Sequence, residues 1–134
     1  MKTNKQKLIK KLDTLASEIV RQRDGQCLIC GCKENLQAHH FIITKGRSTK
    51  HRWNLKNLIT LCYACHIFKV HSTACLQIMD VVRKSAIENK ICTESDINEI
   101  ETDISVAKFS ISDLQEKVEE LEKIKRGKNA RFNK

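Results

Sequence analysis

The chain of 134 residues has no proline, four glycines and only 4% aromatic residues. Proteins that bind single strands by stacking present several aromatic rings, so this scarcity argues against such a surface. No run of roughly 18 apolar residues occurs, so we expect no membrane-spanning helix. The opening residues, MKTNKQKLIKKLD, contain no apolar segment typical of a secretory signal, and we therefore expect a cytoplasmic protein.

Positive charge and cysteine are what the chain has in excess. Lys and Arg number 25 against 16 Asp and Glu, a formal net charge of +9. The excess lies in residues 1–92, which carry 17 basic and six acidic side chains, whereas residues 93–134 carry eight and ten. A charge this far from zero favours a polyanionic partner, either nucleic acid or an anionic membrane surface. We expect nucleic acid to bind the first 92 residues.

Seven cysteines in a chain expected to be cytoplasmic favour metal binding over disulfides. Four of them form two Cys-x2-Cys pairs, Cys27 with Cys30 and Cys62 with Cys65. Two such pairs can complete a tetrahedral zinc site, and a site closed in this way is structural because no position remains for substrate. The alternative is four buried free cysteines. The other three cysteines have no matching spacing: Cys32, Cys75 and Cys92.

Apolar periodicity divides the chain into three parts. An amphipathic helix is predicted over 3–22, so residues 1–22 form an N-terminal helix. Residues 23–92 contain both cysteine pairs and form the central domain, and 93–134 form a C-terminal helix with a basic tail. Within the central domain we predict two strands, at 36–43 and 58–61. A helix begins at the second cysteine pair and runs toward His71, and another helix spans 73–89.

Residues 97–121 repeat apolar side chains every seven residues, which is typical of a long helix with a coiled-coil seam. The two seam positions are Ile97, Ile104, Ile111 and Val118, then Ile100, Ala107, Leu114 and Leu121. Two alternatives stay open. The seam forms a parallel homodimer, or the helix packs back against the N-terminal helix, whose lysines complement its acids.

Three histidines and an asparagine form a second constellation. His39 and His40 lie on the first predicted strand, Asn57 precedes the second strand, and His66 follows the second cysteine pair. Adjacent residues of a strand point to opposite faces, so we expect different roles for His39 and His40.

In order and spacing, these residues and both cysteine pairs resemble the HNH endonucleases, most closely the small phage-type members with a four-cysteine zinc. The resemblance covers about residues 20–90. It implies an α+β fold: a small zinc-stabilised ββα-metal core flanked by helices, with a long C-terminal helix. Many members have a proline soon after the double histidine, where this chain has Ile43 and Thr44.

The resemblance implies metal-dependent hydrolysis of DNA phosphodiester bonds by a single-metal mechanism that leaves a 5′ phosphate and a 3′ hydroxyl. His40 would be the general base and His39 a ligand of the catalytic ion, which would be Mg²⁺, Mn²⁺ or Ni²⁺. His66 would be a second ligand or contact the phosphate. Asn57 would either complete the metal shell or hold the loop that orients His40, and His71 is an auxiliary ligand candidate.

Basic residues between the two predicted strands are expected to contact DNA phosphates. They are Lys45, Arg47, Lys50, Arg52 and Lys56. Two other functions stay open: a structure-selective recombination nuclease that cuts branched DNA, and a zinc-stabilised DNA-binding module without catalysis. The resemblance places the protein in the cytoplasm of a bacterium or a phage-infected host.

Overall fold

The computed structural model describes residues 3–44, 50–66, 75–103 and 107–132, with the backbone alone for 75–78 and 128–132. The described residues form α1 (Asn4–Asp24), β1 (Leu36–His40), β2 (Leu58–Cys62), α2 (Cys75–Glu88), α3 (Glu94–Thr102) and α4 (Ile111–Phe132). A 3-10 turn at Leu55–Asn57 leads into β2, and a short helical turn at 63–66 follows it. The α+β class is confirmed, and none of the described helices has the length and apolarity needed to cross a membrane.

Local signals at both ends define α1. The Thr3 side chain accepts a hydrogen bond from the Gln6 backbone N–H, and the Gln6 side chain accepts one from Thr3 in return. This reciprocal capping pairs two backbone donors that the helix leaves open. Gly25 ends the helix with a φ of 72°, a left-handed conformation that costs little without a Cβ. The predicted N-terminal helix is therefore confirmed, with two further residues at its C-terminal end.

The two strands pair antiparallel, with Leu36 opposite Cys62 and His40 opposite Leu58. The first strand was predicted to continue to residue 43, but it ends at His40. Beyond that point the Asn57 side chain accepts hydrogen bonds from the backbone N–H groups of Ile42 and Ile43. The Asn57 side chain therefore takes the place of a partner strand beyond His40, and the β-ladder ends three residues before its predicted end.

The sheet separates two clusters of buried side chains in the described part of the chain. The cysteine-side core packs against Ile59 and Leu61 of β2 and includes side chains from α2 and α3. The helical core contains Leu58 and Trp53 and joins the sheet to α1 and α4. All five residues of β2 are buried because both faces of the strand are covered.

The predicted single C-terminal helix is wrong. α3 ends at Thr102 and α4 begins at Ile111, where Ser110 and Asp113 form a reciprocal cap. Serine favours such a cap over a helix interior, because its hydroxyl accepts from a backbone N–H near the helix start. One serine of the heptad segment thus starts a second helix.

The heptad seam is divided between the two cores. Ile97 and Ile100 are buried in the cysteine-side core, whereas Leu114, Val118 and Leu121 are buried in the helical core against α1. Of the two alternatives for the seam, α4 adopts the second, because it packs against the N-terminal helix α1. The homodimer through residues 97–121 stays a prediction, with these seam residues covered by the chain itself.

The C-terminal end of α1 is bonded to the sheet through two charged residues. The Arg23 guanidinium donates to the carbonyls of Leu55 and Leu58 at 2.8 and 2.6 Å. The neighbouring Asp24 carboxylate accepts from the Thr60 backbone N–H at 2.8 Å. These bonds hold α1 against β2 and so position the helix beside the first strand.

Candidate metal centre and histidine site

Four cysteines converge at one end of the sheet. The Sγ atoms of Cys27, Cys30, Cys62 and Cys65 all lie within 4.8 Å of one another, and those of Cys30 and Cys62 are 3.6 Å apart. A tetrahedral zinc with Zn–S bonds of about 2.3 Å requires sulfurs about 3.8 Å apart. The cluster fits that requirement, so the four cysteines are positioned to bind a metal ion such as zinc.

The backbone builds this cluster from two separate turns. Gly31, with a φ of 79°, closes the first turn by donating its N–H to the Cys27 carbonyl at 2.9 Å. Leu28, which follows Cys27 in the same turn, donates its N–H to the Thr60 carbonyl of β2 at 3.1 Å. Since the second cysteine pair begins at the last residue of β2, this bond aligns the two turns.

Burial and hydrogen bonding shift the pKa values of the cysteine thiols, downward for Cys27 and upward for Cys65. Burial acts to raise the pKa of Cys27, but backbone hydrogen bonds from Cys30, Cys62 and Ile29 outweigh it and lower that pKa to about 6. Burial, followed by hydrogen bonds with the neighbouring thiols, raises the pKa of Cys65. A metal ion binds thiolates and displaces their protons, so metal binding would oppose the effect of burial on Cys65.

The two histidines predicted to bind a catalytic ion are brought together. The ring centroids of His39, on β1, and His66, in the turn after β2, are 5.0 Å apart with the rings inclined at 62°. His66 directly follows Cys65, so the second cysteine pair also sets the position of this ring. Imidazole suits transition-metal ions, so the two rings are candidate ligands of one divalent ion.

Gln37 orients His66, a role that the sequence analysis missed. Its Oε1 lies 2.7 Å from Nδ1 of His66. An amide oxygen only accepts, so the proton is on Nδ1 and the lone pair of His66 is on Nε2. The signal was in the sequence: Gln37 precedes His39 by two residues and therefore shares its face of the strand.

His40 lies on the opposite face of β1, as strand alternation predicted. Ala38 and His40 face α1 and border a cleft of about 170 Å³, which Asp13 and Ser17 of that helix also line. The Nε2 of His40 is 2.8 Å from the carbonyl oxygen of Arg52, in the loop between the strands. The structure thus separates His40 from the His39–His66 pair by the thickness of the strand.

Asn57 holds the loop after β1 and does not present a metal ligand. Its side chain is fully buried. Its Oδ1 accepts from Ile42 and Ile43, and its Nδ2 donates to the carbonyls of Ile43 and His51. These four bonds use the whole capacity of an amide. These contacts fit the second of the two alternatives for Asn57, holding the loop after β1, and its role in catalysis stays a prediction.

The basic residues between the strands are paired with carboxylates. Those that the structure describes form three ion pairs: Lys50 with Asp103 at 3.0 Å, Arg52 with Asp13 at 2.7 Å, and Lys56 with Asp96 at 3.3 Å. The lysines remain about half-exposed, whereas Arg52 is mostly covered. Arg52 is therefore part of the loop's attachment to α1. Lys45, Arg47 and His71 lie outside the described residues.

Comparison with known proteins gives no match among protein-family models, curated proteins or solved structures. The functional proposal therefore rests on the residues of the site: the cysteine cluster, the His39–His66 pair with Gln37, and His40 across the strand.

Proposed function

We propose that this protein is a metal-dependent DNA endonuclease of the HNH type. The observation that carries the proposal is the meeting of His39 and His66, 5.0 Å apart between ring centroids, directly beside the four-cysteine cluster. The cluster serves as a structural zinc site that holds the second strand and the turn carrying His66. The positive charge of residues 1–92 supports a nucleic-acid substrate.

The two imidazoles are the residues that would hold the catalytic ion. Gln37 keeps the proton of His66 on Nδ1, so Nε2 is the nitrogen that this ring offers as a ligand. A divalent ion bound there would neutralise charge on the scissile phosphate and on the leaving 3′ oxygen. Imidazole ligands suit Mn²⁺ and Ni²⁺ better than Mg²⁺, which prefers oxygen.

His40 is the proposed general base. It is the last residue of β1, so the proposal requires the scissile phosphate to lie across the end of the strand, between the ion on the His39–His66 side and the His40 ring on the other. The Arg52 carbonyl accepts a hydrogen bond from its Nε2, so the neutral ring has its lone pair on Nδ1. That nitrogen takes a proton from the attacking water, and the water oxygen bonds to phosphorus as the bond to the 3′ oxygen breaks. The leaving 3′ oxygen takes a proton from solvent water and becomes the 3′ hydroxyl. An imidazole suits this step because its unperturbed pKa lies near neutrality.

DNA is held through its phosphates. Lys50 and Lys56 keep about half of their side-chain surface exposed on the loop between the strands. To contact a phosphate, each lysine must exchange its aspartate partner for that phosphate. The exchange costs little free energy, because ion pairs at the surface are screened by solvent and salt. Such contacts place the backbone without reading sequence.

Nicking of supercoiled plasmid by the full chain tests the proposal. We expect cleavage with Mn²⁺ or Ni²⁺ at least as fast as with Mg²⁺, and none with EDTA. The variants His39→Ala and His66→Ala should lose metal-dependent cleavage. His40→Ala should be slower by about 10²–10⁴, the usual contribution of a general base. Zinc content and circular dichroism confirm that each variant is folded.

The rivals give distinct results in the same assay. DNA binding without cleavage under any divalent ion would establish the zinc-stabilised binding module instead. Preferential cutting of flap or four-way substrates over linear DNA would establish the structure-selective nuclease. Activity with Mg²⁺ but not with Mn²⁺ would count against histidine ligation, and undiminished cleavage by His40→Ala would remove its role as base.

A further inference from the structure

We infer that Asp13, on the N-terminal helix, is a positioning residue for His40 and acts through Arg52. The inference rests on the proposed function, in which His40 is the general base. Asp13 is 27 residues from His40 in sequence, and α1 lies outside the two strands and the turn that carry the histidines and the zinc ligands. The two are connected through Arg52, whose side chain bonds to Asp13 and whose backbone carbonyl bonds to His40.

The first link is a carboxylate that receives three N–H groups. The Asp13 Oδ1 atom accepts from Arg52 Nε at 2.9 Å and from the Trp53 indole Nε1 at 2.8 Å. Its Oδ2 accepts from Arg52 Nη2 at 2.7 Å. Two parallel bonds from one guanidinium fix the orientation of the arginine as well as its distance. The Trp53 bond holds the next residue of the loop in the same place.

The second link is the Arg52 backbone. Because the Arg52 and Trp53 side chains are both held by Asp13, the peptide carbonyl between them has a defined direction. That carbonyl oxygen lies 2.8 Å from Nε2 of His40. A carbonyl cannot donate, so this contact selects the ring tautomer with hydrogen on Nε2 and the basic lone pair on Nδ1.

The third observation is the space beside the ring. The cleft of about 170 Å³ that His40 borders is lined by polar groups of Asp13, Ser17 and Arg52 as well as by apolar side chains. The cleft has room for a water molecule, and its polar groups can bind that molecule by hydrogen bonds. Asp13 therefore both directs the base and borders the place where a water molecule can reach it.

An ion pair of this kind contributes little to stability by itself. The Arg52 and Asp13 side chains are 22% and 38% exposed, and pairs so open to solvent are weakened by screening. The consequence of the pair is therefore geometric. It selects one tautomer and one orientation of a ring on a neighbouring strand.

Asp13→Asn tests the inference with two readouts on the full-length zinc protein. The ¹⁵N chemical shifts of His40 at pH 8, where an unperturbed imidazole is neutral, report its tautomer without any need for activity. We expect a shift from the Nε2–H form to a mixture. In plasmid cleavage we expect kcat to fall about 10- to 100-fold, as when a supporting hydrogen bond is lost, with KM within about 2-fold.

Glu18→Gln is the matched control. Glu18 is also on α1 and also forms an ion pair, with Lys125 of α4, but it has no connection to His40 in the described contacts. It should leave both the tautomer and kcat unchanged. Equal effects of the two substitutions would overturn the inference, because they would show a general response to loosening α1.

Arg52→Lys supplies a second variant if Asp13→Asn does not fold. Lysine keeps the charge but lacks the two-pronged guanidinium, so we expect the same tautomer mixture and a smaller loss of kcat. Unchanged tautomer and kcat in a folded Asp13→Asn or Arg52→Lys protein would overturn the inference. A tautomer change in a protein whose wild type cuts no DNA would support the positioning contact while removing the proposed function.

Discussion

The two faces of the sheet differ in the interactions that stabilise them. One faces the cysteine cluster and the other faces α1 and α4. On the first, Ile59 and Leu61 pack beside four cysteines whose sulfurs lie within 4.8 Å of one another. On the second, Leu58 packs among leucines, isoleucine and valine of two helices. The first face combines apolar packing with four potential metal ligands, whereas the second combines apolar packing with hydrogen bonds and ion pairs from α1.

The comparison shows how one short strand supplies two environments. Alternation along β1 places His39 on the cysteine side, near His66, and His40 on the helical side, near Asp13. His39, proposed as a metal ligand, is thereby on the side of the cysteine cluster, which fixes the position of its neighbour His66. A histidine proposed as a base is next to a helix that fixes its hydrogen-bond partner. Removing the support of one face should spare the other.

The largest effect is expected from Cys62→Ser. A structural zinc contributes about 10–16 kcal/mol to folding in small zinc domains, comparable to or larger than the net stability of a whole domain. Loss of one thiolate should therefore remove zinc and unfold the cysteine side of the sheet. Zinc content by atomic absorption and thermal melting by circular dichroism measure the two consequences.

Cys32→Ser is the control for that variant. Cys32 is an exposed cysteine next to the first pair and outside the four-sulfur cluster. Its substitution should leave zinc content and melting temperature near those of the wild type. If Cys62→Ser and Cys32→Ser melt together and both retain the same zinc content, the four-cysteine site is wrong.

An intermediate effect is expected from Leu114→Ala on the helical side. Leu114 is completely buried between α4 and α1, and its truncation leaves a cavity. Substitutions of this kind cost about 2–5 kcal/mol. Urea unfolding should show that loss while the zinc content per chain stays unchanged. Loss of zinc from Leu114→Ala would show that the two faces are not independent.

The smallest effect concerns Asp113, in the cap of α4. Hydrogen bonds from the Ser110 backbone and then its hydroxyl hold the pKa of Asp113 below its usual value of 3.8. A lowered folded-state pKa means that the bond stabilises the protein above pH 3.8 and that this stabilisation is lost as the pH falls through the lower value.

Asp113→Asn should therefore lower the melting temperature slightly at pH 7, with the difference from the wild type shrinking as the pH falls below 3.8. Thermal melts of both proteins across this range measure the difference. Since Asp113 caps a helix of the helical core, zinc content at pH 7 should not change. A difference between the two proteins that does not vary with pH would exclude ionisation of Asp113 as its cause.

Much of the local structure was predictable because it depends on neighbours in sequence. The apolar repeat of α1, its cap at Thr3 and the two strands follow from short-range patterns. The paired spacing of the cysteines predicted a four-sulfur cluster, which the structure brings together. The alternation of a strand predicted that His39 and His40 face opposite ways.

The sequence by itself determined which residues can bind a metal together and on which face of its element each one lies. Both follow from spacings of two or three residues. The tertiary structure alone decided the partners across long separations: Gln37 with His66, Asp13 with Arg52, and α4 with α1. It also divided a regular heptad seam between two cores. Periodicity records which side of an element is apolar, but the path of the chain decides what covers that side and which distant polar groups meet.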